Sequence, residues 1–366
     1  MILTKYDDDT EIMYFRSAGT IREGQAITEG FVPLTKADCE KAQAKVAAFS
    51  EPESKPSTGQ IYLYGEEHHD PVYTNKQFEL WRKHYTENNM RHVFVECSYF
   101  SAEILNIWMK ADNDDILINM YGGAASFDFE CQLKKEFPET VFHGTDVAHE
   151  YQSIGPKFLQ YLKENGMADG KQYRLTEGNI EQGRLFYQEL HCNHSLRANL
   201  MTRNFIREFD DLNDESIMSL HYGSNHVHTG SYHPCIGGGV TMSSRLKKRY
   251  GDKVHAARLS ELIAPGTPDT VFVGGKQYNA AYFGKTVSDD GTEQTFWRLK
   301  NTYDVFKDNQ LTGNTLPYDK YPMPVQIGQI LVICSANKDG DTETKYYRAS
   351  GLEANGVDFT EEILIN

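Results

Sequence analysis

The chain has 366 residues, a formal net charge of -15 at pH 7 and an aromatic content of 12%. An acidic balance of this size argues against a basic surface for nucleic acid or for an anionic membrane face. The aromatic content is far from that of a disordered chain. We therefore expect a folded protein that acts on a small-molecule or peptide substrate, and composition leaves its oligomeric state open.

The six cysteines are scattered and form no Cys-X-X-Cys pair. This pattern favours neither a thiolate metal cage nor a dense disulfide framework, so we expect reduced thiols. Residues 1–10 contain three consecutive aspartates instead of an apolar segment, and no apolar run of 18 residues occurs. We expect no membrane span and a cytoplasmic location, with a mature exported form left open.

Composition divides the chain into three predicted regions. Residues 1–58 form a polar, irregular N-terminal extension that ends in a stretch rich in serine and proline, which is typical of a linker. Residues 59–264 form the predicted catalytic body, and residues 265–366 form a β-rich C-terminal region.

Within the predicted body, short apolar runs alternate with longer periodic segments. The predicted strands are 61–64, 93–95, 141–143, 216–221 and 254–257, and the predicted helices are 75–87, 101–109, one or two within 177–209, and 241–249. This alternation predicts an α/β fold with a mostly parallel central sheet flanked by helices. After residue 265, short strands separated by turn signals predict an antiparallel β-rich appendage.

Three polar clusters directly follow predicted strands: the segment 65–70, Glu96, and the segment 221–228. Because the carboxyl ends of parallel strands share one edge of a sheet, we expect these clusters to face the same way. Carboxylates and imidazoles together can activate a water molecule. Each feature also has a plainer interpretation, since a single histidine is more often structural and Glu96 alone suits a cap or a solvated carboxylate. The histidines at 221, 226, 228 and 233 suit an adventitious metal-binding loop equally well.

The combined pattern resembles the superfamily of erythromycin esterases, ChaN-like haem-associated proteins, TraB-type proteins and TIKI metalloproteases. Gly65, Glu66 and His68 match its Gly-Glu-X-His motif, Glu96 matches its strand-ending glutamate, and Gly223 with His226 matches its later Gly-X-X-His motif. The esterase variant places its first histidine one residue further, where this chain has His69. The resemblance therefore leaves His68 and His69 as alternatives.

Looser matches extend the resemblance over residues 59–260. Gly144 to Asp146 is similar to the family's Gly-X-Asp, and Arg197, Met201 and Asn204 are similar to its Arg-X-X-X-Met-X-X-Asn helix. The segment 242–252 is similar to a helix that ends in Tyr-Gly-Asp. We predict that Asp146, Arg197 and His228 support the site, with Asp146 and Arg197 forming a buried pair that orients it. The alternative is a purely structural ion pair between Asp146 and Arg197.

The resemblance implies two mechanisms. In the esterase-like one, His68 or His69 is oriented by Glu66 and acts as general base on a water that attacks an ester or lactone, with His226 and Arg197 stabilising the oxyanion. In the TIKI-like one, His68, Glu96 and His226 bind a divalent metal, which zinc, manganese or cobalt would suit, and its water cleaves a peptide bond. The doubled histidines and Glu66 favour the metal-independent mechanism.

Three further interpretations stay open. A haem- or metal-carrying protein of ChaN type would use histidine and tyrosine ligands. A toxin-type effector would recognise a protein partner through residues 265–366. Cys97 directly follows Glu96, but alternation along a strand turns its side chain away, so it is disfavoured as a nucleophile.

Overall fold

The computed structural model describes residues 2–7, 12–17, 32–34, 37, 41, 44, 54–68, 70–125, 127–189, 194–227, 240–287, 291–354 and 357–365. The chain groups into two compact units. The first contains Met1–Tyr64, Gln77–Tyr222 and Ser231–Ala256, and the second contains Gly65–Lys76, Gly223–Gly230 and Ala257–Asn366. The region boundaries at residues 58 and 264 stay predictions.

The N-terminal stretch contains a three-stranded antiparallel sheet. Its strands are β1 Ile2–Asp7, β2 Ile12–Ser17 and β3 Val32–Leu34, in the order β1-β2-β3. The expectation of an irregular extension was wrong for these residues. The polar composition of the region hid the alternating β-favouring residues of Ile2–Asp7 and the apolar run at the start of Ile12–Ser17, both of which are typical of strands.

A central sheet has most of its residues in the first unit. Its strands are β4 Ile61–Glu66, β5 His92–Ser98, β6 Val141–Asp146, β7 Ile217–Leu220, β8 Tyr222–Gly223 and β9 Val254–Arg258. The order is β6-β5-β7-β4-β8, with β9 beside β4, and the pairs β4·β7, β7·β5 and β5·β6 are parallel. The predicted α/β fold with a mostly parallel sheet is confirmed. Strands buried on both faces explain the continuous apolar runs from which they were predicted.

Helices follow most of these strands. In chain order they are α1 Pro71–Glu87, α2 Tyr99–Met109, α3 Asp115–Tyr121, α4 Asp128–Glu136, α5 Ile154–Glu164, α6 Lys171–Arg184, α7 His194–Asp211, α8 Ser224–Val227, α9 Met242–Tyr250, α10 Leu259–Ile263 and α11 Tyr303–Phe306. A π-helical segment, Leu185–Glu189, directly continues α6. Helix α2 begins two residues before its predicted start because Ser98, and not Ser101, is the cap: the Ser98 side chain accepts from the Ser101 amide.

Aromatic packing holds helix α7 against the central sheet. The ring of Phe94, in β5, lies 4.6 Å from that of Phe205 and 6.3 Å from that of Phe209, measured between centroids. All three side chains are completely buried. Rings at these separations add to the apolar burial that stabilises the layer. The packing fixes the helix that carries Arg197 relative to β5.

The second unit contains a seven-stranded antiparallel sheet, which confirms the predicted β-rich C-terminal region. Its strands are β10 Thr267–Val273, β11 Lys276–Val287, β12 Glu293–Leu299, β13 Leu311–Pro317, β14 Ile330–Ala336, β15 Thr342–Ala354 and β16 Val357–Ile363. The order is β10-β11-β12-β14-β15-β16-β13. Ile330 and Val332 join one apolar cluster, whereas Leu331 and Ile333 join another. Alternation along β14 therefore buries both of its faces.

Among the helices of the described residues, none has the length and apolar character needed to cross a membrane.

Candidate functional site

In the first unit, the carboxylates of two neighbouring strands share one arginine. Glu96 lies near the end of β5, Asp146 ends β6, and Arg197 lies on α7. Arg197 Nη2 donates to Glu96 Oε1 at 2.7 Å and also to Asp146 Oδ2, while Arg197 Nε donates to Asp146 Oδ1 at 2.9 Å. Their side chains are 10% or less exposed. One guanidinium thus bridges the ends of two parallel strands.

The charges of this cluster stabilise one another. Burial by itself would raise the pKa of Asp146, but Arg197 and then His149 hold that pKa well below its ordinary value. Burial likewise opposes the charge of Arg197, yet Asp146 and Glu96 raise its pKa. Because opposite charges at hydrogen-bond distance outweigh desolvation here, Asp146 and Arg197 are both ionised near neutral pH.

His149 extends the cluster toward solvent and was not predicted from the sequence. Its Nε2 lies 2.8 Å from Asp146 Oδ2, and its Nδ1 lies 2.5 Å from the hydroxyl of Tyr187 in the π-helical segment. The Asp146 side chain is completely buried, whereas that of His149 is 34% exposed. The available signal was spacing, since His149 follows a strand-ending aspartate by three residues.

The spacing of Arg197, Met201 and Asn204 has a physical reason in helix α7. Residues separated by four and by seven positions lie on one face of a helix. Arg197 binds the Asp146 side chain, Met201 is completely buried, and Asn204 Nδ2 donates to the Thr145 carbonyl oxygen at 3.1 Å. The same helix face therefore holds both the side chain and the backbone at the end of β6.

In the second unit, Glu66 and His68 form a carboxylate–imidazole pair. His68 Nδ1 lies 2.9 Å from Glu66 Oε1. The side chain of Glu66 is 4% exposed, whereas that of His68 is 47% exposed. A buried carboxylate on one ring nitrogen fixes the orientation and tautomer of an imidazole and leaves proton transfer to Nε2. In this arrangement, His68 can act as a general base.

Two polar side chains that were not predicted support the backbone at this pair. Ser224 Oγ donates to the Glu66 carbonyl oxygen at 3.1 Å. Gln326 Nε2 donates to Ser224 Oγ at 2.7 Å and to the Gly65 carbonyl oxygen at 3.3 Å. Gln326 is completely buried. It is separated from Gly65 by 261 positions, and contacts between such distant residues leave no local sequence signal.

We expect Gly65 to tolerate no side chain. A Cβ atom at this position would lie 2.9 Å from the Ser224 Cα and 3.1 Å from the Val227 Cβ, so helix α8 would have to move. Gly65→Ala should therefore lower the free energy of unfolding by about 1–3 kcal/mol, measured by urea denaturation. The matched control is Gly178→Ala within helix α6, where nothing lies within 4 Å, and it should be neutral or stabilising. An unchanged stability of Gly65→Ala would contradict the steric argument.

Glu67 stands between Glu66 and His68 in the chain, and its carboxyl group is largely buried and influenced by a second negative charge. Burial, and after it the negative charge of Asp358, raise the pKa of Glu67 to about 7. His68 and the Ser224 hydroxyl oppose this shift. Glu67 was not predicted as a site residue because it stands at the variable position of the Gly-Glu-X-His motif.

The other predicted site residues have separate outcomes. His226 is buried in helix α8, which belongs to the same unit as Glu66 and His68. His69 and His228 lie outside the described residues. The structure thus brings Glu66 and His68 together in one unit, and Glu96, Asp146 and Arg197 together in the other. The roles assigned to all of them stay predictions.

The surroundings of Cys97 disfavour its thiolate form. Burial is the main cause that raises the pKa of its thiol well above the ordinary value, and the negative charges of Glu150 and Asp146 add to it. Because the thiolate is the reactive form of cysteine, the environment disfavours covalent catalysis by Cys97.

The contacts of Glu96 bear on the metal hypothesis. Its carboxylate oxygen Oε1 accepts a hydrogen bond from Arg197, so a metal ion at that oxygen would have to displace the guanidinium. Within the described ranges, no group of three or more His, Cys, Asp or Glu side chains is placed to hold a metal ion. The ligand set His68, Glu96 and His226 stays a prediction.

No protein-family model matches the chain, and no curated protein matches it. Among solved structures, it is similar to an erythromycin esterase mutant, EreC, in its open conformation, with 13% identity and a TM-score of 0.41 over 65% of this chain and 83% of that one. It is also similar to a protein from Bacillus cereus, with 11% identity and a TM-score of 0.40 over 87% of this chain and 94% of that one. Neither likeness identifies a substrate.

Proposed function

We propose that this chain is a hydrolase in which the Glu66–His68 pair activates water against an ester, lactone or amide bond. The observation that supports the proposal is the 2.9 Å contact between a buried carboxylate and a half-exposed imidazole. The contact uses Nδ1, so Nε2 is the nitrogen that exchanges a proton with the reactants. His69 stays the alternative base.

The proposed reaction has two steps. His68 Nε2 takes a proton from water, and the oxygen of that water forms a bond to the carbonyl carbon of the substrate. The negative charge moves to the former carbonyl oxygen, where His226 is proposed to stabilise it. The bond to the leaving alcohol or amine then breaks, and the His68 imidazolium returns its proton to that leaving group. Glu66 remains ionised and stabilises the imidazolium.

Arg197 is a positioning residue in this proposal. Its guanidinium already donates to both Glu96 and Asp146, so its charge is largely neutralised by two carboxylates. A cation in that state is a weak partner for a developing oxyanion. We propose that Arg197 keeps Glu96 and Asp146 ionised and holds them at the ends of β5 and β6.

Chelation tests the metal-independent mechanism. The chain should hydrolyse at least one member of a panel of 4-nitrophenyl esters, a γ-lactone and an amino-acid anilide, and the rate should persist after dialysis against a strong chelator. Glu66 and His68 supply the general base without a metal ion. Loss of the rate on chelation and its return with manganese or zinc would instead assign His68, Glu96 and His226 as ligands.

The variants His68→Gln and His69→Gln identify the base. We expect His68→Gln to lose the hydrolytic rate, because the His68 imidazole contacts the Glu66 carboxylate. Loss in His69→Gln with retention in His68→Gln would assign the base to His69. A panel that no preparation of the folded chain hydrolyses would contradict the hydrolase proposal for these bonds.

A further inference from the structure

We propose that Tyr187, His149 and Asp146 form a nucleophilic centre that accepts an acyl group on the Tyr187 hydroxyl. The centre goes beyond the proposed function, because it lies in the first unit and shares no residue with the Glu66–His68 pair. Its contacts follow the order of a nucleophile, a base and a carboxylate that orients the base.

The Asp146 carboxylate fixes the tautomer of His149. Asp146 is ionised and accepts from the Val147 amide at 2.7 Å and from Arg197 Nε at 2.9 Å, so its oxygens act only as acceptors. His149 Nε2, at 2.8 Å from Asp146 Oδ2, therefore carries a proton. The lone pair of the neutral imidazole then lies on Nδ1, and the Tyr187 hydroxyl donates to it across 2.5 Å. The phenolic proton thus already contacts a base.

The nucleophile and the base are accessible, whereas the groups that hold them are buried. The His149 side chain is 34% exposed and Tyr187 is half-buried, while Asp146 is completely buried. The completely buried ring of Phe186 packs edge-on against both, with centroids 6.2 Å from His149 and 5.0 Å from Tyr187. Tyr187 also belongs to the π-helical segment, and π-helical turns occur frequently at functional sites. A substrate can therefore reach a hydroxyl that the protein holds in place.

The charges in this part of the first unit favour an uncharged electrophile. Arg184, three positions before Tyr187, is paired with Glu181 at 2.5 Å and with Glu189 at 2.7 Å. Arg197 is likewise bound by two carboxylates. Transfer of a phosphoryl group requires cations that neutralise its charge, and both of these arginines are already neutralised. An acyl group is uncharged before it reacts, so we assign an acyl donor such as an activated ester.

The proposed reaction conserves protons and electron pairs. The Tyr187 oxygen forms a bond to the carbonyl carbon of the donor as the phenolic proton moves to His149 Nδ1. The bond to the leaving group then breaks, and the leaving group takes the proton from Nδ1. The product is an acyl ester of Tyr187, and Asp146 stabilises the imidazolium while it exists. Water that loses a proton to the same nitrogen then releases the acid and restores the phenol.

Covalent labelling of the full chain tests the centre without measuring turnover. N-acetylimidazole should acetylate Tyr187 about 100-fold faster than Tyr151, as measured by peptide mass spectrometry, because a positioned base contributes about 100- to 10,000-fold. Tyr151 is the matched control: its ring stacks on that of Tyr187 at 5.8 Å, but its hydroxyl accepts from the side-chain amides of Gln152 and Gln188. If the acetyl group on Tyr187 hydrolyses too fast to be mapped, benzenesulfonyl fluoride, which forms a stable ester, should show the same preference.

Variants of His149 separate a nucleophilic centre from a hydrogen bond that only anchors the π-helical segment. His149→Gln should slow the labelling of Tyr187 by about 100-fold, and free imidazole should restore part of the sulfonyl fluoride reaction in His149→Ala. Equal labelling of Tyr187 and Tyr151 in the parent protein, or unchanged labelling of Tyr187 in His149→Gln, would overturn the proposal. Glu66→Gln should label Tyr187 at the parent rate, so this centre and the proposed hydrolase function can fail separately.

Discussion

Glu66→Gln should lower kcat/KM for hydrolysis by about 100- to 10,000-fold, the usual contribution of general base catalysis. Glutamine keeps the size of the side chain and a hydrogen-bond acceptor for His68 Nδ1. It lacks the negative charge that stabilises the imidazolium formed when His68 takes a proton. Steady-state kinetics on the best ester of the panel, together with a circular dichroism spectrum that matches the parent protein, provide the measurement.

Two comparisons make this result specific. Glu87→Gln, at the exposed end of α1, should leave kcat/KM unchanged. The double variant Glu66→Gln with His68→Gln should be no slower than His68→Gln alone, since residues that act as a unit lose their effect together. Losses that multiply in the double variant would show that Glu66 and His68 act independently.

Arg197→Met should lower the free energy of unfolding by about 3–5 kcal/mol, the cost of removing one partner from a buried ionic cluster. The change leaves Glu96 and Asp146 buried without the guanidinium that bridges them. Urea denaturation measures the effect. The control Arg184→Met removes an arginine from more exposed pairs with Glu181 and Glu189 and should cost less than about 1 kcal/mol. A cost for Arg197→Met as small as the control would contradict the assigned role.

The same cluster predicts a dependence of stability on pH. Arg197 and His149 hold the pKa of Asp146 in the folded chain below its unfolded value of about 3.9. The resulting stability is fully present above that value and is lost as pH falls below it. The parent protein should therefore lose unfolding free energy below about pH 4. Asp146→Asn should lack this component, and a parallel decline in both proteins would assign the acid sensitivity to other carboxylates.

The sequence predicted those features that depend on residues close together in the chain. Apolar runs that end at Gly65, Glu96 and Asp146 predicted three parallel strands and the polar residues at their ends. Residues 197, 201 and 204 lie on one face of a helix because the second and third follow the first by four and seven positions. Glu66 and His68 are two positions apart, so their pairing also depends on local geometry.

Other parts of the candidate site have no local signal. Gln326 contacts Ser224 across 102 positions of the chain and Gly65 across 261 positions. The raised pKa of Glu67 depends on burial and on Asp358, which lies nearly 300 positions further along the chain. Desolvation is a property of the packed state, so it cannot be predicted from the identity of Glu67 alone.

The contact between Tyr187 and His149 depends on the number of residues in the π-helical segment Leu185–Glu189. A π-turn places one more residue per turn than an α-helix does, and each α-helical residue rotates the chain by about 100°. Deleting one residue before Tyr187 within Leu185–Glu189 would restore α-helical winding and turn the phenol away from the imidazole, with every other side chain retained. The hydrogen bond therefore depends on the number of residues in this segment as well as on the identities of Tyr187 and His149.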